Sequence, residues 1–417
     1  MPISFELPTD AQRLLQDLRH WSLTEVRPLA RLADTEQTKY FEGSKAAVAS
    51  CPLEISPLSV PELGLVDVRS GKRFRASDSH EDNHVLGLLA MEAMTYGDGW
   101  AWGALARNAN LEKILSVIGT SQQLEQWNSD DGAQISSFAF AEEHCGSDIG
   151  AIKTRADRDG DEWVINGTKR FSSQAGEATI MLVFVTIDPS QGMRGLRGVM
   201  IPAGLPGIEI IRDTEDRKLG MRFLRQGTVR FNSVRIPLEN MLGDPYDPNA
   251  FLEGLNVLNR TRPFCIAWSV GTLRGATDFV RTWVAAQITG FNPRRWRLVQ
   301  DDLDEIDASM DDLMRLLVRA AWRADRDLPH RTEAAMAKSH GPRIVERGYR
   351  RLLAIMGSEA ASEEHLLEKW YRDAVLFDLI EGTSQILKLT VGRGMFAQAA
   401  AESGADAVEA LKPVVPA

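Results

Sequence analysis

Two stretches of this 417-residue chain combine residue types that could do chemistry. The first is Phe138-Ala-Phe-Ala-Glu-Glu-His-Cys-Gly-Ser-Asp148, in which aromatic residues lead into small and polar ones. Such a backbone-rich loop at the edge of a β region can lie against a flat cofactor. Taken alone, its Gly-Ser-Asp is also ordinary turn chemistry. The second is Tyr371-Arg-Asp-Ala-Val-Leu-Phe-Asp-Leu-Ile-Glu-Gly-Thr383, which sets one carboxylate, Glu381, on an apolar helical stretch just before Gly382. Among Val375, Leu376, Phe377, Leu379 and Ile380 a carboxylate is held in water-poor space. That raises its basicity and suits it to abstracting a weakly acidic carbon-bound proton. A helix-end carboxylate paired with a surface cation is the alternative, and the apolar neighbours argue against it.

The chain that must position these groups has the composition of a globular protein with a large core, 44% hydrophobic and 25% charged. No run approaches the roughly 20 apolar residues of a membrane span. Met1 to Asp10 lacks the basic and then apolar pattern of a secretory signal. Cys51, Cys145 and Cys265 are odd in number and widely spaced, which fits reduced thiols and a cytoplasmic location and argues against a structural zinc site. The histidines show no metal-ligand spacing, so no metal is expected. A net charge of -10 speaks against nonspecific nucleic-acid binding.

Residues up to about 135 read as helical, with Asp10 a candidate N-cap and Val85 to Met94 apolar all round, hence a buried helix. The texture changes near Ser136 to short Val-, Ile- and Phe-rich runs broken by turn residues. Glu162 to Gly167 reads as a strand ending in an Asn-Gly turn, and Thr179–Thr186, Arg197–Pro202 and Thr228–Pro237 read as further strands. Helical spacing returns over 251–287, 299–325, 333–357, 363–380 and 384–400. The expected domains are therefore helical (1–135), β (136–245) and helical (246–400), with a short tail (401–417).

That order, with the two motifs, resembles the acyl-CoA dehydrogenase family. The family's Thr-Glu-Pro-x-x-Gly-Ser-Asp loop reads Ala141-Glu-Glu-His-Cys-Gly-Ser-Asp148, and Asn-Gly-x-Lys-x-aromatic reads Asn166-Gly-Thr-Lys169-Arg-Phe171-Ser-Ser173. Lys218-Leu-Gly-Met-Arg222 and the Phe231, Val234, Pro237 pattern match a further, mostly structural block. Asn259-Arg-Thr261-Arg262-Pro263 matches the branch that carries its catalytic glutamate in the C-terminal Glu-Gly-Thr, which is present here.

The resemblance implies an α+β multidomain fold, with an N-terminal helical domain, a central β-barrel or sandwich-like domain and a C-terminal four-helix bundle. It implies an FAD-dependent α,β-dehydrogenase of acyl thioesters. Glu381 would take the α proton while hydride passes to flavin N5, and Arg262 would orient Glu381. Developing charge on the thioester oxygen would meet the Glu381 backbone N–H and a flavin ribityl hydroxyl. Phe138, Phe140, Ala141, Gly146, Ser147, Phe171, Ser173, Thr383 and Gln385 would bind the cofactor. Ser147, Thr261, Ile380 and Gly382 would bind substrate. The implied partners are acyl-CoA or acyl-carrier protein, an electron-transfer partner or O2, and further copies of the chain in a homodimer or homotetramer. A flavin-dependent oxidase or monooxygenase, and a flavin-free scaffold or catalyst, are the rival readings.

Several positions depart from the family pattern. The family's Arg-x-x-Phe-Gly, whose arginine meets the flavin pyrophosphate, is Gln287-Ile-Thr-Gly-Phe291 here. An unreplaced charge-assisted contact is worth about 1.5–3 kcal/mol; Arg281, Arg294, Arg295 and Arg297 are candidate replacements. The glycine-rich segment before Arg-Asp has become Ala354-Ile-Met-Gly357-Ser-Glu359-Ala360. The aromatic residue before the catalytic Glu is Ile380. A basic run, Lys72, Arg73 and Arg75, stands where the family has a Gly-Gly-x-Gly loop; a solvated loop is its plain explanation, and a contact for a CoA phosphate or an acidic carrier surface the sharper one. Together these point to a specialised biosynthetic enzyme.

Overall fold

The computed structural model describes residues 7–38, 41–54, 65–68, 73–74, 83–105, 109–127, 134–212, 218–247, 254, 258–287, 290 and 292–403. The chain divides into two compact units, Met1–Phe74 with Asp98–Val257, and Arg75–Gly97 with Leu258–Ala417.

The first unit opens with helix α1 (Thr9–Trp21), whose apolar positions bury Ala11, Leu14, Leu18 and Trp21. Its N-cap is Pro8; the expected cap, Asp10, lies inside the first turn. Short helices α2 (Ala30–Thr35) and α3 (Ser44–Ala49) follow, and the Trp21 indole N–H donates to the Ala47 carbonyl at 2.9 Å. Strands β1 (Leu53–Glu54), β2 (Leu65–Asp67) and β3 (Arg73–Phe74) form a small antiparallel sheet. Lys72 and Arg75 of the basic run lie outside the described residues.

The core of this unit is a seven-stranded sheet of β4 (Ser136–Ala139), β5 (Arg155–Asp159), β6 (Glu162–Ser173), β7 (Ile180–Thr186), β8 (Leu196–Pro202), β9 (Ile208–Arg212) and β10 (Gln226–Pro237). Strand β4 pairs with β7 in parallel, β7 with β5, β5 with β6, and β6 returns to β4 at Phe138–Ser173. This circuit closes a mixed sheet on itself, in keeping with the β-barrel or sandwich-like domain expected of the central segment. Strand β7 is Ile-Met-Leu-Val-Phe-Val-Thr, buried at every position. Met181, Val183 and Val185 face one apolar cluster with Trp163, Val199 and Phe231. Ile180, Leu182 and Phe184 face another, with Leu111, Ile114, Leu115 and Ile118 of α6 (Ala109–Ile118). An unbroken apolar run is what a strand covered on both faces requires. Helices α5 (Trp100–Leu105) and α7 (Ser121–Trp127) flank α6 in sequence.

The expected Asn-Gly turn is not a turn. Strand β6 runs straight through Asn166 and Gly167, and the chain reverses at Gly160 instead, at φ 61°. Opposite Asn166, β10 carries a bulge between Phe231 and Val234, and the Asn166 side chain accepts from the Ser233 N–H at 2.8 Å. Gly167 is needed for space: a Cβ there would lie 2.6 Å from Thr154 Cα.

The second unit is helical. It contains α4 (His84–Met94), α8 (Leu258–Ala286), α9 (Pro293–Ala324), α10 (Arg331–Met356), α11 (Leu367–Leu376) and α12 (Ser384–Ser403). Helix α10 packs against α8, α9, α11 and α12, and α4 against α8. Helix α4 is buried nearly all round, as its sequence requires, and its start is capped by Asn83, which accepts from Leu86 N at 2.9 Å. Helix α9 begins earlier than periodicity predicts, because Asn292 caps it ahead of Pro293. Helix α11 ends at Leu376, short of the expected 380, so Glu381 stands on a turn and not on a helix.

Candidate active-site elements in the two units

In the second unit, the turn between α11 and α12 carries Glu381 at φ 57°, followed by Gly382 at φ 96°. A left-handed conformation costs a non-glycine residue about 1–2 kcal/mol, so its surroundings must impose it. The first turns of α8 do much of this. Arg262 Nε donates to the Glu381 carbonyl at 3.0 Å, and Arg262 is itself held by the Asn259 side chain at 2.8 Å. Burial lowers the Arg262 pKa, and the charge of Glu381 opposes that effect. The Thr261 hydroxyl donates to Glu381 Oε2 at 2.8 Å; a longer 3.3 Å contact to Leu258 O competes for the same hydrogen. Lys338 of α10, wholly buried, donates to the carbonyls of Phe377 at 2.6 Å and Gly382 at 3.1 Å. The Ser384 hydroxyl donates to Asp378 across the same turn.

Of the apolar sheath expected around Glu381, Phe377 is buried, Leu379 is 61% exposed, and Val375, Leu376 and Ile380 are half-buried. Glu381 is itself half-buried and bonded to a hydroxyl. Its setting is thus polar on one side, because the helix that would have wrapped it in side chains has already ended. Thr383 and Gln385 sit at the start of α12, half-buried and exposed respectively.

In the first unit, the loop after β4 folds back on β6. Phe138 opposes Ser173, and Arg170 N–H donates to the Ala141 carbonyl at 2.8 Å. Phe171 sits at φ 54° in an irregular stretch of β6 and is 48% exposed, with the Arg170 guanidinium 5.0 Å from its ring centre. The structure therefore gathers Phe138, Ala141, Phe171 and Ser173 on one rim, with Gly146 and Ser147 exposed further along the loop. The rings of Phe138 and Phe140 are not presented outward: both pack edge-on against Phe184, at 4.9 and 4.8 Å.

Two groups that the sequence reading passed over hold this loop. Glu142 is buried and accepts from Lys169 Nζ at 2.8 Å and from the N–H groups of Lys153 and Thr154, both at 2.9 Å. Burial works against the Glu142 carboxylate, but the charge and hydrogen bond of Lys169 and the other donors outweigh it and hold its pKa below the ordinary value. Lys169 Nζ also reaches the Phe140 carbonyl at 3.0 Å. Both residues stand inside the motifs quoted above, and an acid and a base in two paired segments were the available signal. Glu142, His144 and Cys145 bring their ligand atoms within 4.8 Å of one another. Glu142 is already saturated with donors and His144 Nε2 lies 2.8 Å from the Ala151 carbonyl, so the trio is bonded within the loop.

Of the segments where family contacts are missing, Gln287 lies exposed at the end of α8 and Glu359 exposed beyond α10. Arg281, one candidate replacement, is engaged by Asp278 and Asp307. Phe291 lies outside the described residues.

Residues 137–234 match the acyl-CoA dehydrogenase middle domain, and residues 254–396 the acyl-CoA dehydrogenase C-terminal domain. The chain is similar to the mitochondrial short-chain specific acyl-CoA dehydrogenase of Bos taurus, with 28% identity over 394 residues covering 93% of this chain and 90% of that one. In fold it is similar to butyryl-CoA dehydrogenase from Megasphaera elsdenii, at TM-score 0.80 and 22% identity over 94% of this chain and 100% of that one. It is likewise similar in fold to the prolyl acyl carrier protein oxidase AnaB, at TM-score 0.79 and 22% identity over 94% and 100%. Among the described residues no helix is long and apolar enough to cross a membrane. With both domain matches falling in order over more than half its length, the chain belongs to the acyl-CoA dehydrogenase family of oxidoreductases.

Proposed function

We propose that this chain desaturates an acyl thioester between Cα and Cβ with FAD as cofactor, and that Glu381 removes the α proton. The observation that carries this is the Glu381 turn: a carboxylate held in a left-handed turn, with one oxygen on the Thr261 hydroxyl and its carbonyl on Arg262. Oε1 is the oxygen to which the proton would go. A thioester carbonyl acidifies its α carbon, so a fixed carboxylate at hydrogen-bond reach suffices as base. As the proton leaves, charge grows on the thioester oxygen, where the Glu381 N–H would receive it. When bound, FAD supplies the hydride acceptor for the Cβ hydrogen.

The first unit suits a flat cofactor. Phe171 is half exposed on a conformation that only surrounding structure can impose, beside the Phe138–Ser173 pairing. Phe171, Ser173, Gly146, Ser147 and the backbone of Phe138, Phe140 and Ala141 would hold the flavin, and Thr383 and Gln385 the adenylate end of one. In the second unit Ile380 and Gly382 would meet the thioester, and in the first unit Ser147 would. We further propose a homo-oligomer: Leu389 and Phe396, seven residues apart on α12, are 57% and 64% exposed and mark an apolar stripe suited to a second copy.

The test is the visible spectrum of the FAD-loaded protein on addition of acyl thioesters, carried by CoA and by a phosphopantetheinyl carrier protein. Bleaching that is lost in Glu381→Gln supports the proposal, and the better of the two carriers identifies the substrate class. Bleaching that survives in Glu381→Gln removes Glu381 as base. Absence of flavin bands with excess FAD would falsify the cofactor assignment.

A further inference from the structure

We propose that Lys338 is a positioning residue, which acts with Arg262 as a two-cation clamp on the consecutive carbonyls of Gly382 and Glu381. This rests on Glu381 being the base. Lys338 lies on α10 with no exposure to solvent, and its ammonium is bonded to Phe377 O and Gly382 O. Removing an ammonium from water is costly and is usually offset by a bonded carboxylate. Lys369 of α11 is the comparison within the same unit: equally buried, it is paired with Asp373 at 2.9 Å, four residues on. Lys338 is bonded to carbonyls instead; burial lowers its pKa, Arg262 adds to that, and Cys265, Glu381 and Asp378 oppose it without overcoming it.

What these bonds accomplish is geometric. Phe377 O belongs to the C-cap of α11 and Gly382 O follows the base, so one side chain closes both ends of the segment that presents Glu381. Arg262 takes the carbonyl between them in sequence, at Glu381 itself. Two successive left-handed residues have no hydrogen-bond ladder of their own. Cations on consecutive carbonyls from two different helices fix both peptide planes and therefore the direction of the Glu381 side chain. A lysine has the length to reach both carbonyls from α10 and, unlike glutamine, the charge to hold two of them.

The experiment compares wild type, Glu381→Gln, Lys338→Met, Lys338→Gln and Lys369→Met. Amide hydrogen exchange is followed over residues 377–383 of the flavin-free proteins, and flavin bleaching by a short saturated acyl-CoA on the FAD-loaded ones. Lys338→Met is expected to raise exchange in that segment at least tenfold and to slow bleaching at least tenfold, with half-saturating thioester within twofold of wild type. Lys338→Gln, which keeps one donor to a carbonyl, should fall between, and it carries the same comparison if Lys338→Met does not fold. Lys369→Met should lower the melting temperature and leave both readouts of the turn unchanged. Wild-type bleaching and exchange in Lys338→Met overturn the clamp. So does a loss shared equally by bleaching, half-saturation and FAD content, which denotes a purely structural lysine. Bleaching retained in Glu381→Gln overturns the base assignment on its own, whatever Lys338 does.

Discussion

The Thr261 hydroxyl donates to Glu381 Oε2 at 2.8 Å, across 120 residues of sequence. The adjacent Arg262 binds the backbone carbonyl of the same glutamate, so one turn of α8 addresses both the side chain and the main chain of the proposed base. A hydroxyl bond to a carboxylate restricts its rotation and leaves the other oxygen for the proton.

Thr261→Val removes the hydroxyl and keeps the branched shape. A hydrogen bond to a charged group is worth about 1.5–3 kcal/mol. If half of that is expressed in orienting the base, thioester-dependent bleaching should slow by roughly four- to twelvefold. The half-saturating thioester concentration should change less than the rate. An unchanged single-turnover rate would leave Thr261 without an orienting role.

Lys169→Met should destabilise the first unit by about 3–5 kcal/mol, because Glu142 is left as a buried and unneutralised carboxylate. The effect depends on pH with a definite sign. The native Glu142 pKa lies below its ordinary 4.5, so the stability it contributes is full above that value and is lost as pH falls through the native one. Protonation removes the stranded charge from the variant as well. The gap in urea midpoint between wild type and variant should therefore be wide at pH 7 and narrow toward pH 4. A gap independent of pH would mean that packing around Lys169, not its charge, is what matters.

Much of this arrangement was legible in the residue order. The apolar run of β7 announced a strand, and helical spacing located α10, α12 and the ends of α8 and α9 within a few residues; Asn292 moved the start of α9, and the expected start of α8 at 251 lies outside the described residues. Thr261, Arg262 and Glu381, singled out from motifs far apart in the chain, are in contact. What failed was decided by partners remote in sequence. Val375 to Ile380 continues a helical apolar pattern, yet the helix stops at Leu376 because Lys338 and Arg262, 44 and 119 residues from the carbonyls they bind, hold the chain in a turn. Asn166-Gly167 is a strong local hairpin signal. It lies within a strand because the bulge in β10 gives the Asn166 side chain a backbone N–H to bond. Lys338 itself left no motif, only a single charge among Ala334, Ala335, Ala337 and Gly341.

Cys51 and Cys265 should be unreactive while the protein is folded. Burial pushes the thiols of Cys51 and Cys265 up to about 12 from 9.0, outweighing the Leu53 backbone bond to the first and the charge of Lys338 near the second. At pH 8 the thiolate fraction falls from roughly one in ten to roughly one in ten thousand. Iodoacetamide at that pH should label neither residue until denaturant is added, as read by mass spectrometry of tryptic peptides. Rapid labelling of Cys265 in the native protein would mean that the end of α8 beside Glu381 opens to solvent.

Phe171 offers a way to separate stability from cofactor binding. Its backbone sits at φ 54°, where a bulky residue is strained and glycine is not. The residue is half exposed, and the Arg170 contact at 5.0 Å is an exposed one, worth about 0.5–1 kcal/mol. In Phe171→Gly the relief of strain offsets part of the lost contact, the lost burial of the other half of the side chain and the entropic cost of glycine, so the flavin-free protein should unfold within about 2 kcal/mol of wild type. If the ring is kept because it covers the flavin, FAD affinity should fall by roughly tenfold or more in the same variant, since an aromatic contact of this kind contributes about 1–3 kcal/mol when a flat ring stacks on it. Urea unfolding of the flavin-free protein and titration with FAD, followed by quenching of flavin fluorescence, measure the two quantities separately. Equal losses in both would make Phe171 a structural residue. Unchanged affinity would place the flavin away from this rim.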